Sequence, residues 1–457
     1  MPELNVYPFD DPKALDDAGA SEVSARGEAI ETAWQYYRRE HRKPLKVRAG
    51  QTDDNVIVNM AREIVDQSVA MLFGQAPTIE IDEAKNTEQE ELVRAIFEAN
   101  GEAIWLQKLA TQGAISGHCF VKLVPDPVRK VRLIRLNPRN VTVFWAPDDY
   151  EQVVCYRVQY AAGDAVVRQD VVSEGEQWVM RELRRHKDEP WLLLGETVWP
   201  WPWAPIVDWQ NLAEPEGYYG EGDLVNAALN DAVNFLASNN QRIIKWHGHP
   251  KTIGIGVRPE DIKETAVDGF WAIPNAAASV FILEMQSDLG ASMGFLQFLQ
   301  GAFYSEHRAV NLASMKDKLG QMTNFGLRVL FKSALDKCQV KQSLYGAGLA
   351  EISRRSLLLL GAGEYRARVS WPDPLPYNRL EQLQALAQES DLGIVSKQTM
   401  AADAGRDWDV EQARLEQEQV GQENVGSLIL RAFETGQDVR ARSGDRPEQN
   451  GLARGEA

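Results

Sequence analysis

The sequence predicts an α+β fold in which a strand-rich region precedes three long helices. Apolar and polar residues alternate through residues 118–160, the period of half-buried strands. In regions 223–248, 288–313 and 322–360 the apolar residues recur every three or four positions, which indicates amphipathic helices. A chain of 457 residues with 44% hydrophobic residues has room for two to four domains and for a sizeable core.

The N-terminal part is predicted to be helical after an acidic mobile arm at residues 1–27. A short helix follows at 27–37. The basic cluster 38–43 comes next, and we interpret it as a charged surface or a subunit contact rather than as a DNA site. A strong helix is predicted at 55–74, with Gly74 just past its end, and two more helices within 87–117.

The alternating region predicts an antiparallel sheet whose strands are separated by Pro, Asn and Asp turn residues. Its strands are expected at 119–124, 131–136, 141–145, 153–158, 177–180 and 191–194. The tryptophans that follow are interpreted as packing residues at a domain junction: Trp199, Trp201, Trp203 and Trp209.

The first long helix is predicted over 223–248, with Asp223 as its N-cap and Gly248 near its end. Asn240 interrupts its apolar stripe, and the surrounding polar run suits a helix with one side facing water or neighbouring subunits.

A short β-rich stretch is predicted next at 249–287, and the second long helix at 288–313 has heptad-like apolar spacing. The polar residues 314–324 are interpreted as a loop. The third helix, 322–360, would be about 55–60 Å long, and Gly346 and Gly348 are expected to allow a kink in it.

The C-terminal part is predicted to hold a strand at 365–369 and then a series of small helices, with a tail disordered by composition. The helices are expected at 378–389, from 396, at 411–423 and at 424–435, and the tail at 440–457.

The composition argues against several function classes. The net charge of −17 is unlike that of a general nucleic-acid binder, which is usually basic. Cys119, Cys155 and Cys338 are far apart, indicate a reducing compartment and carry no metal signature. The sequence contains no GxxxxGK[ST] or HExxH motif, and Gly113-Ala-Ile-Ser116-Gly117 is not a GxSxG motif. No signal peptide is expected, and no uninterrupted apolar stretch of about 18 residues occurs.

Four pieces of sequence in a fixed order resemble the portal proteins of tailed bacteriophages, specifically the long-tailed siphophage type, over roughly residues 30–425. The first piece is Tyr36-Tyr37 with Asn55-Val-Ile-Val-Asn59, Ile64-Val-Asp66 and Phe73-Gly74-Gln-Ala-Pro77. The second is Pro205-Ile-Val-Asp-Trp-Gln-Asn211 with Gly222-Asp223 and the Leu229–Ser238 helix. The third is Gln321-Met-Thr-Asn-Phe-Gly-Leu327, and the fourth is Leu392-Gly-Ile-Val-Ser396-Lys-Gln-Thr399 with Asp409-Val-Glu411.

The resemblance implies a ring, commonly of twelve subunits, at one capsid vertex, without catalysis of its own and without cofactor or metal. It divides the chain into a wing (28–222), stem helices (223–248 and 288–313), a clip (249–287), a tunnel loop (314–324), a long wing helix with a strand (325–377) and a crown (378–439).

The resemblance also implies partners and a location. Double-stranded viral DNA would pass through the ring, and the terminase large subunit and head-completion or adaptor proteins would dock on it. Scaffold and major capsid protein would contact it, no membrane would be involved, and assembly would occur in the host cytoplasm.

Candidate site residues follow from this division. In the tunnel loop they are Lys316, Lys318, Gln321, Met322, Thr323 and Asn324, in the stem Asn240, Arg242, Lys245, Gln300 and His307, and in the clip Arg258, Glu260, Asp261 and Lys263. The two loop lysines are either weak phosphate contacts in an acidic channel or ordinary solvated residues. Arg242 and Lys245 either face the channel or pair with a neighbour's acids, and pairing is favoured.

Two alternatives stay open at the level of sequence. One is a metal-dependent hydrolase or nuclease with Asp and Glu ligands scattered over the sheet region, although these acids form no recognisable two-metal pattern. The other is a different capsid or head–tail structural protein.

Overall fold

The computed structural model describes most of the chain, which divides into two compact units, 1–375 and 376–457. The described residues are 20–47, 49, 50, 52–82, 88–187, 189–248, 251–255, 277, 279–283, 289–315, 322–375, 379–403, 406, 408 and 410–415.

The N-terminal region consists of helices and one short strand: α1 (Ala20–Tyr37), α2 (Met60–Phe73), β1 (Thr78–Ile81), α3 (Glu88–Ala99) and α4 (Glu102–Ser116). Helix α1 begins at Ala20, so the last part of the predicted mobile arm is helical, and residues 1–19 lie outside the described residues. Helix α2 begins five residues later than predicted, after the N-cap Asn59, whose side chain accepts a hydrogen bond from the Arg62 N–H.

Two antiparallel sheets follow, built from β2 (His118–Asp126), β3 (Lys130–Arg135), β4 (Val141–Ala146), β5 (Asp149–Ala162), β6 (Ala165–Glu174), β7 (Gln177–His186), β8 (Leu192–Trp199) and β9 (Ile206–Gln210). One sheet has the order β3-β2-β9, and the other runs β4 to β8 in sequence order. Strand β6 was not predicted. Its buried Asp170 forms ion pairs with Arg168 of the same strand and with Arg157 of β5, and these charges conceal the apolar alternation of a strand.

The next segment contains α5 (Ala228–Gly248), β10 (Lys251–Ile255), β11 (Ser279–Leu283) and α6 (Leu289–Glu306). Strands β10 and β11 pair antiparallel, as the predicted β-rich stretch requires. Helix α6 ends at Glu306 rather than at residue 313, because the backbone turns at Arg308, whose φ is 52°.

The predicted third helix is two helices, α7 (Asn324–Leu330) and α8 (Lys332–Leu359), separated at Phe331. Helix α8 runs without interruption through the glycines where a kink was expected. At Gly348 a Cβ atom would lie 2.4 Å from the Trp209 ring, so this glycine allows the helix to approach the sheet closely.

Helix α8 supplies the centre of the main core. Tyr345, Leu349 and Ile352 are fully buried against the sheet and helices α2 and α3, and Trp209 packs edge-on against Tyr345. Trp201 and Trp203 stack at 5.5 Å, which confirms packing as the role of the tryptophans. The chain then forms β12 (Ala367–Ser370), which pairs with β1.

The second unit contains α9 (Arg379–Asp391) and α10 (Lys397–Asp403). Ser396 caps α10 by accepting a hydrogen bond from the Thr399 N–H at 3.2 Å, as the predicted helix start there requires. Residues 411–415 are helical, whereas the rest of the predicted helix 411–423, the helix 424–435 and the tail lie outside the described residues.

Candidate functional site

A row of polar side chains on α5, here named the polar ladder, consists of Asn230, Asn234 and Ser238. Residues spaced by four lie on one face of a helix, and all three are fully buried. The ladder binds segment 56–61, which is extended up to Asn59 and ends in the first residues of α2, through the backbone N–H groups of that segment. Asn230 Oδ1 accepts from Ala61 at 3.0 Å, Asn234 Oδ1 from Val58 at 2.9 Å and Ser238 Oγ from Val56 at 2.9 Å.

The polar ladder explains why residues 55–58 are not helical, although their apolar pattern predicted a helix. The ladder donates as well as accepts: Asn230 Nδ2 bonds the Val58 carbonyl at 2.8 Å and Ser238 Oγ bonds the Val56 carbonyl at 3.2 Å. The side chains thus satisfy an extended backbone that has no strand beside it. Two of the four sequence pieces of the resemblance therefore bind each other.

Asp231, next to the ladder, anchors helix α1. Tyr36 donates to Asp231 Oδ2 at 2.7 Å, and His41 Nδ1 lies 3.4 Å from Oδ1. Burial, together with the hydrogen bond to Asp231, raises the pKa of Tyr36 to about 12. The start of α5 is thereby fixed to the N-terminal helices.

A buried charged cluster (Asp223, Lys337 and Lys341) joins the start of the stem segment to α8. Lys341 Nζ lies 2.7 Å from Asp223 Oδ2, and Lys337 Nζ lies 3.6 Å from Oδ1. Lys341 also donates to Ser68 Oγ on α2 at 2.9 Å, and Lys337 to the His307 carbonyl at 2.9 Å. These contacts bring together four segments that are distant in sequence: Asp223, α2, α8 and the residue that follows α6.

Asp223 was predicted to be the N-cap of the first stem helix, and this prediction was wrong, because α5 begins only at Ala228. Burial alone would raise the pKa of Asp223, but Lys341 and Lys337 hold it below its ordinary value. Burial lowers the pKa of Lys337, which the nearby Asp223 carboxylate partly offsets.

His307 was predicted as a subunit contact, but it is only 2% exposed within its own chain. Its Nδ1 lies 2.7 Å from the Phe303 carbonyl, and its ring packs on Phe303 at 4.2 Å. Burial lowers the pKa of His307. The prediction counted His307 in the stem because it assumed that the helix continued to residue 313, whereas α6 ends at Glu306.

Asn240 and Gln300 are the other stem residues whose position can be given. Asn240 is 3% exposed and joins α5 to α6 within one chain. Ser292 Oγ donates to Asn240 Oδ1 at 2.6 Å, and Asn240 Nδ2 lies 3.7 Å from Met293 Sδ. The polar break in the stripe is therefore a link between α5 and α6. Gln300 is half-buried on α6.

Arg242 and Lys245 form ion pairs, as favoured from the sequence, but the acid belongs to the same chain. Arg242 Nη2 lies 3.1 Å and Lys245 Nζ 3.7 Å from the carboxylate of Asp54. The sequence could not show this, since Asp54 precedes these residues by almost 190 positions. Both cations extend the attachment of α5 to the segment that the polar ladder holds.

The predicted tunnel loop and clip fall largely outside the described residues, including Lys316, Lys318, Gln321 and all four clip candidates, Arg258, Glu260, Asp261 and Lys263. Met322 is half-buried. Thr323 is the N-cap of α7, its Oγ1 accepting from the Gly326 N–H at 3.2 Å, and Asn324 is the first residue of that helix.

Helices α5 and α6 expose an apolar surface that the described residues of the chain do not cover. Phe295 and Phe298 on α6 are 53% and 65% exposed and stack on each other at 6.1 Å. Ile244 on α5 and Met293 on α6 are also exposed. Exposed apolar patches of this kind occur at the interaction sites of many proteins.

A second buried polar network fixes the strand β9 that precedes the stem. His118 Nε2 lies 2.8 Å from Asp208, and Tyr156 donates to the same carboxylate at 2.6 Å, as does Tyr218. Burial alone would raise the pKa of Asp208, yet these hydrogen bonds, from His118 first, hold it below its ordinary value. The sequence analysis missed both this network and the charged cluster.

Lys337 and Lys341, four residues apart on the apolar face of α8, were the only sequence signal for the charged cluster. Among the described residues, no three His, Cys, Asp or Glu side chains are grouped so that they could hold a metal ion. No described helix is long and apolar enough to span a membrane.

Residues 23–177 match the sequence model of the family described as phage portal protein, SPP1 Gp6-like. No curated protein matches the chain. Among solved structures, a chain from the neck of an empty GTA particle, computed with C6 symmetry, aligns with a TM-score of 0.52 and 15% identity over 76% of this chain and 90% of that one.

A chain from the virion of a native gene transfer agent (GTA) particle aligns with a TM-score of 0.48 and 14% identity over 84% of this chain and 99% of that one. We infer a shared fold from the alignment with the neck chain alone, whose TM-score is 0.52. The predicted resemblance to phage portal proteins is therefore confirmed: residues 23–177, about a third of the chain, match the sequence model of that family.

Proposed function

We propose that this chain is a portal subunit, which forms an oligomeric ring at one capsid vertex and a channel for packaging and ejecting double-stranded DNA. The observation that carries the proposal, beside the family match, is the exposed aromatic surface of the stem helices, Phe295 and Phe298. A ring about a cyclic axis requires two different complementary surfaces on each subunit, and an uncovered stem helix supplies one of them.

The intrachain contacts of the stem support this assignment. Asn240, His307, Arg242 and Lys245 bond within their own chain and therefore hold the two stem helices in place for assembly. The subunit contact is then assigned to Ile244, Met293 and the two phenylalanines. A ring of subunits that each carry a net charge of −17 would be strongly acidic, so that DNA phosphates would slide through rather than bind.

The proposal extends to residues outside the described part of the chain. Lys316 and Lys318 would be local, weak phosphate contacts in the channel. Region 249–287, which includes the paired strands β10 and β11, would dock the terminase and later the head-completion or adaptor proteins. Scaffold and major capsid protein would contact the ring during assembly in the host cytoplasm.

Electron microscopy of the purified protein in negative stain, with native mass spectrometry, tests the ring. Closed rings of about twelve subunits with a central hole are expected, since family members commonly form such rings. Tubes or shells would point instead to another capsid or head–tail structural protein. A homogeneous monomer with metal-dependent nuclease activity would favour the hydrolase alternative, for which the described residues offer no metal site.

Two variants test the channel and the docking region. The double variant Lys316→Glu and Lys318→Glu should leave rings intact and reduce the length of packaged DNA, with Lys332→Glu on the exposed surface of α8 as the control. Normal packaging by the double variant would reject the loop assignment. Deleting 251–285 should abolish terminase binding, and retained binding would reject the docking assignment.

A further inference from the structure

A groove of about 680 Å³ lies between α1, the segment after it and the beginning of α5. Its lining includes small side chains on α1, basic residues in the segment after α1, and exposed apolar side chains before and on α5. The residues that matter here are Thr32, Ala33, Arg42, Lys43, Val225 and Phe235. A groove with small residues on one wall has room for an extended peptide.

The apolar side of the groove is uncovered. Val225 is 56% exposed and Phe235 is 47% exposed, although both lie next to buried residues of the stem segment. Covering two such side chains would remove apolar surface from water and stabilise the bound state. The groove is also separate from the phenylalanines of α6 that we assign to subunit contact.

The charge at the end of the groove favours an acidic occupant. Lys43 is paired with Asp53 at 2.9 Å, whereas Arg42 makes no ion pair among the described residues. The one acid in the lining, Asp231, is already engaged by Tyr36 and His41. Arg42 is therefore the cation available to a carboxylate that enters the groove.

The N-terminal sequence of the same chain has the matching chemistry. Residues 2–12 read Pro-Glu-Leu-Asn-Val-Tyr-Pro-Phe-Asp-Asp-Pro. Leu4, Val6 and Phe9 are apolar, Asp10 and Asp11 are acidic, and the prolines disfavour helix in the residues before them. These residues thus offer both apolar side chains for Val225 and Phe235 and carboxylates for Arg42.

The connection is long enough for binding within one chain. Thr32 lies twelve residues from Ala20 along α1, which is about 18 Å at 1.5 Å per residue. Residues 13–19 can span about 23 Å when extended. We propose that residues 2–12 bind in the groove of their own chain, cover Val225 and Phe235 and place Asp10 or Asp11 against Arg42.

Thiol labelling tests this proposal without any assay of rings or DNA, so that it can fail independently of the proposed function. The three native cysteines are buried, and Thr32→Cys adds one thiol in the groove. Maleimide should label this thiol at least about fivefold faster after deletion of residues 2–12, because a tethered segment acts at millimolar effective concentration. Gln35→Cys, exposed on α1 outside the groove lining, is the matched control and should not respond.

A charge exchange distinguishes binding from a general effect of the deletion. Arg42→Glu should accelerate labelling of the groove thiol, and adding Asp10→Lys and Asp11→Lys should slow it again. An oxidised Phe9→Cys and Thr32→Cys variant should form a disulfide within one chain. Equal labelling rates with and without residues 2–12 would overturn the proposal, and disulfides only between chains would overturn binding to the same chain.

Discussion

The region around the beginning of α5, here named the base, and the surface of α6 differ in how completely their own chain satisfies them. At the base, the charged cluster and the polar ladder bury every member and pair it within the chain. On α6, by contrast, the described buried residues are only Phe303 and Tyr304, near its end, and the stacked phenylalanines are exposed. The contacts at the base therefore hold the subunit together, and the surface of α6 is the one to which we assign contact with another chain.

The largest expected effect at the base is that of Asp223→Asn. It leaves Lys337 and Lys341 buried without a counter-charge, which should lower the free energy of unfolding by about 3–5 kcal/mol. Urea denaturation measures this, with Asp336→Asn as the matched control. Asp336 pairs with Lys332 on the exposed surface of α8, and its loss should cost less than about 0.5 kcal/mol. Equal losses of stability in the two variants would show that the buried charged cluster contributes no more than an exposed ion pair.

The next largest effect is expected for Asp208→Asn, which weakens hydrogen bonds from His118, Tyr156 and Tyr218 to a buried carboxylate. The loss should be about 1.5–3 kcal/mol at neutral pH. Since folding holds the pKa of Asp208 below its ordinary value of 3.8, this stability is present above pH 3.8 and is lost as the pH falls through the folded pKa. The difference in the free energy of unfolding between the two proteins should therefore shrink as the pH falls from 7 through the folded pKa of Asp208.

A smaller effect is expected for the polar ladder. Ser238→Ala removes the acceptor of the Val56 N–H and should lower the free energy of unfolding by about 1–2 kcal/mol. The control is Ser343→Ala, because Ser343 donates only to the Gln339 carbonyl on the exposed side of α8. If the two serine variants were equally stable, the ladder would have no special role in holding segment 56–61.

The smallest effect on subunit stability, and the sharpest test of the comparison, is expected for Phe295→Ser with Phe298→Ser. Both side chains are exposed, so the free energy of unfolding of the monomer should change by less than about 0.5 kcal/mol. Assembly into rings, measured by native mass spectrometry, should be lost. Tyr150→Ser, an exposed aromatic on β5, should leave both properties unchanged, and rings formed by the double variant would reject the assigned contact surface.

The sequence alone determined the local elements with strong periodicity, the α+β class and the resemblance to portal proteins. Alternation gave β2 to β5, and the steps of three and four gave α5, α6 and α8, because the period of apolar residues follows from local backbone geometry. The predicted helix boundaries were wrong where a residue distant in sequence binds the segment. Residues 55–58 are extended because the ladder binds them, and α5 starts late because the side chain of Asp223 is bound by two lysines instead of capping it.

Only the tertiary structure decided which charges meet. Asp54 with Arg242, Asp223 with Lys341 and Asp208 with His118 are pairs separated by 90 or more residues, and no spacing in the sequence connects them. The residues next to a side chain in the sequence do not indicate which residue of another element will contact it after folding. The sequence thus determined which faces are apolar, and the tertiary structure determined which polar groups are buried together and which apolar faces remain uncovered.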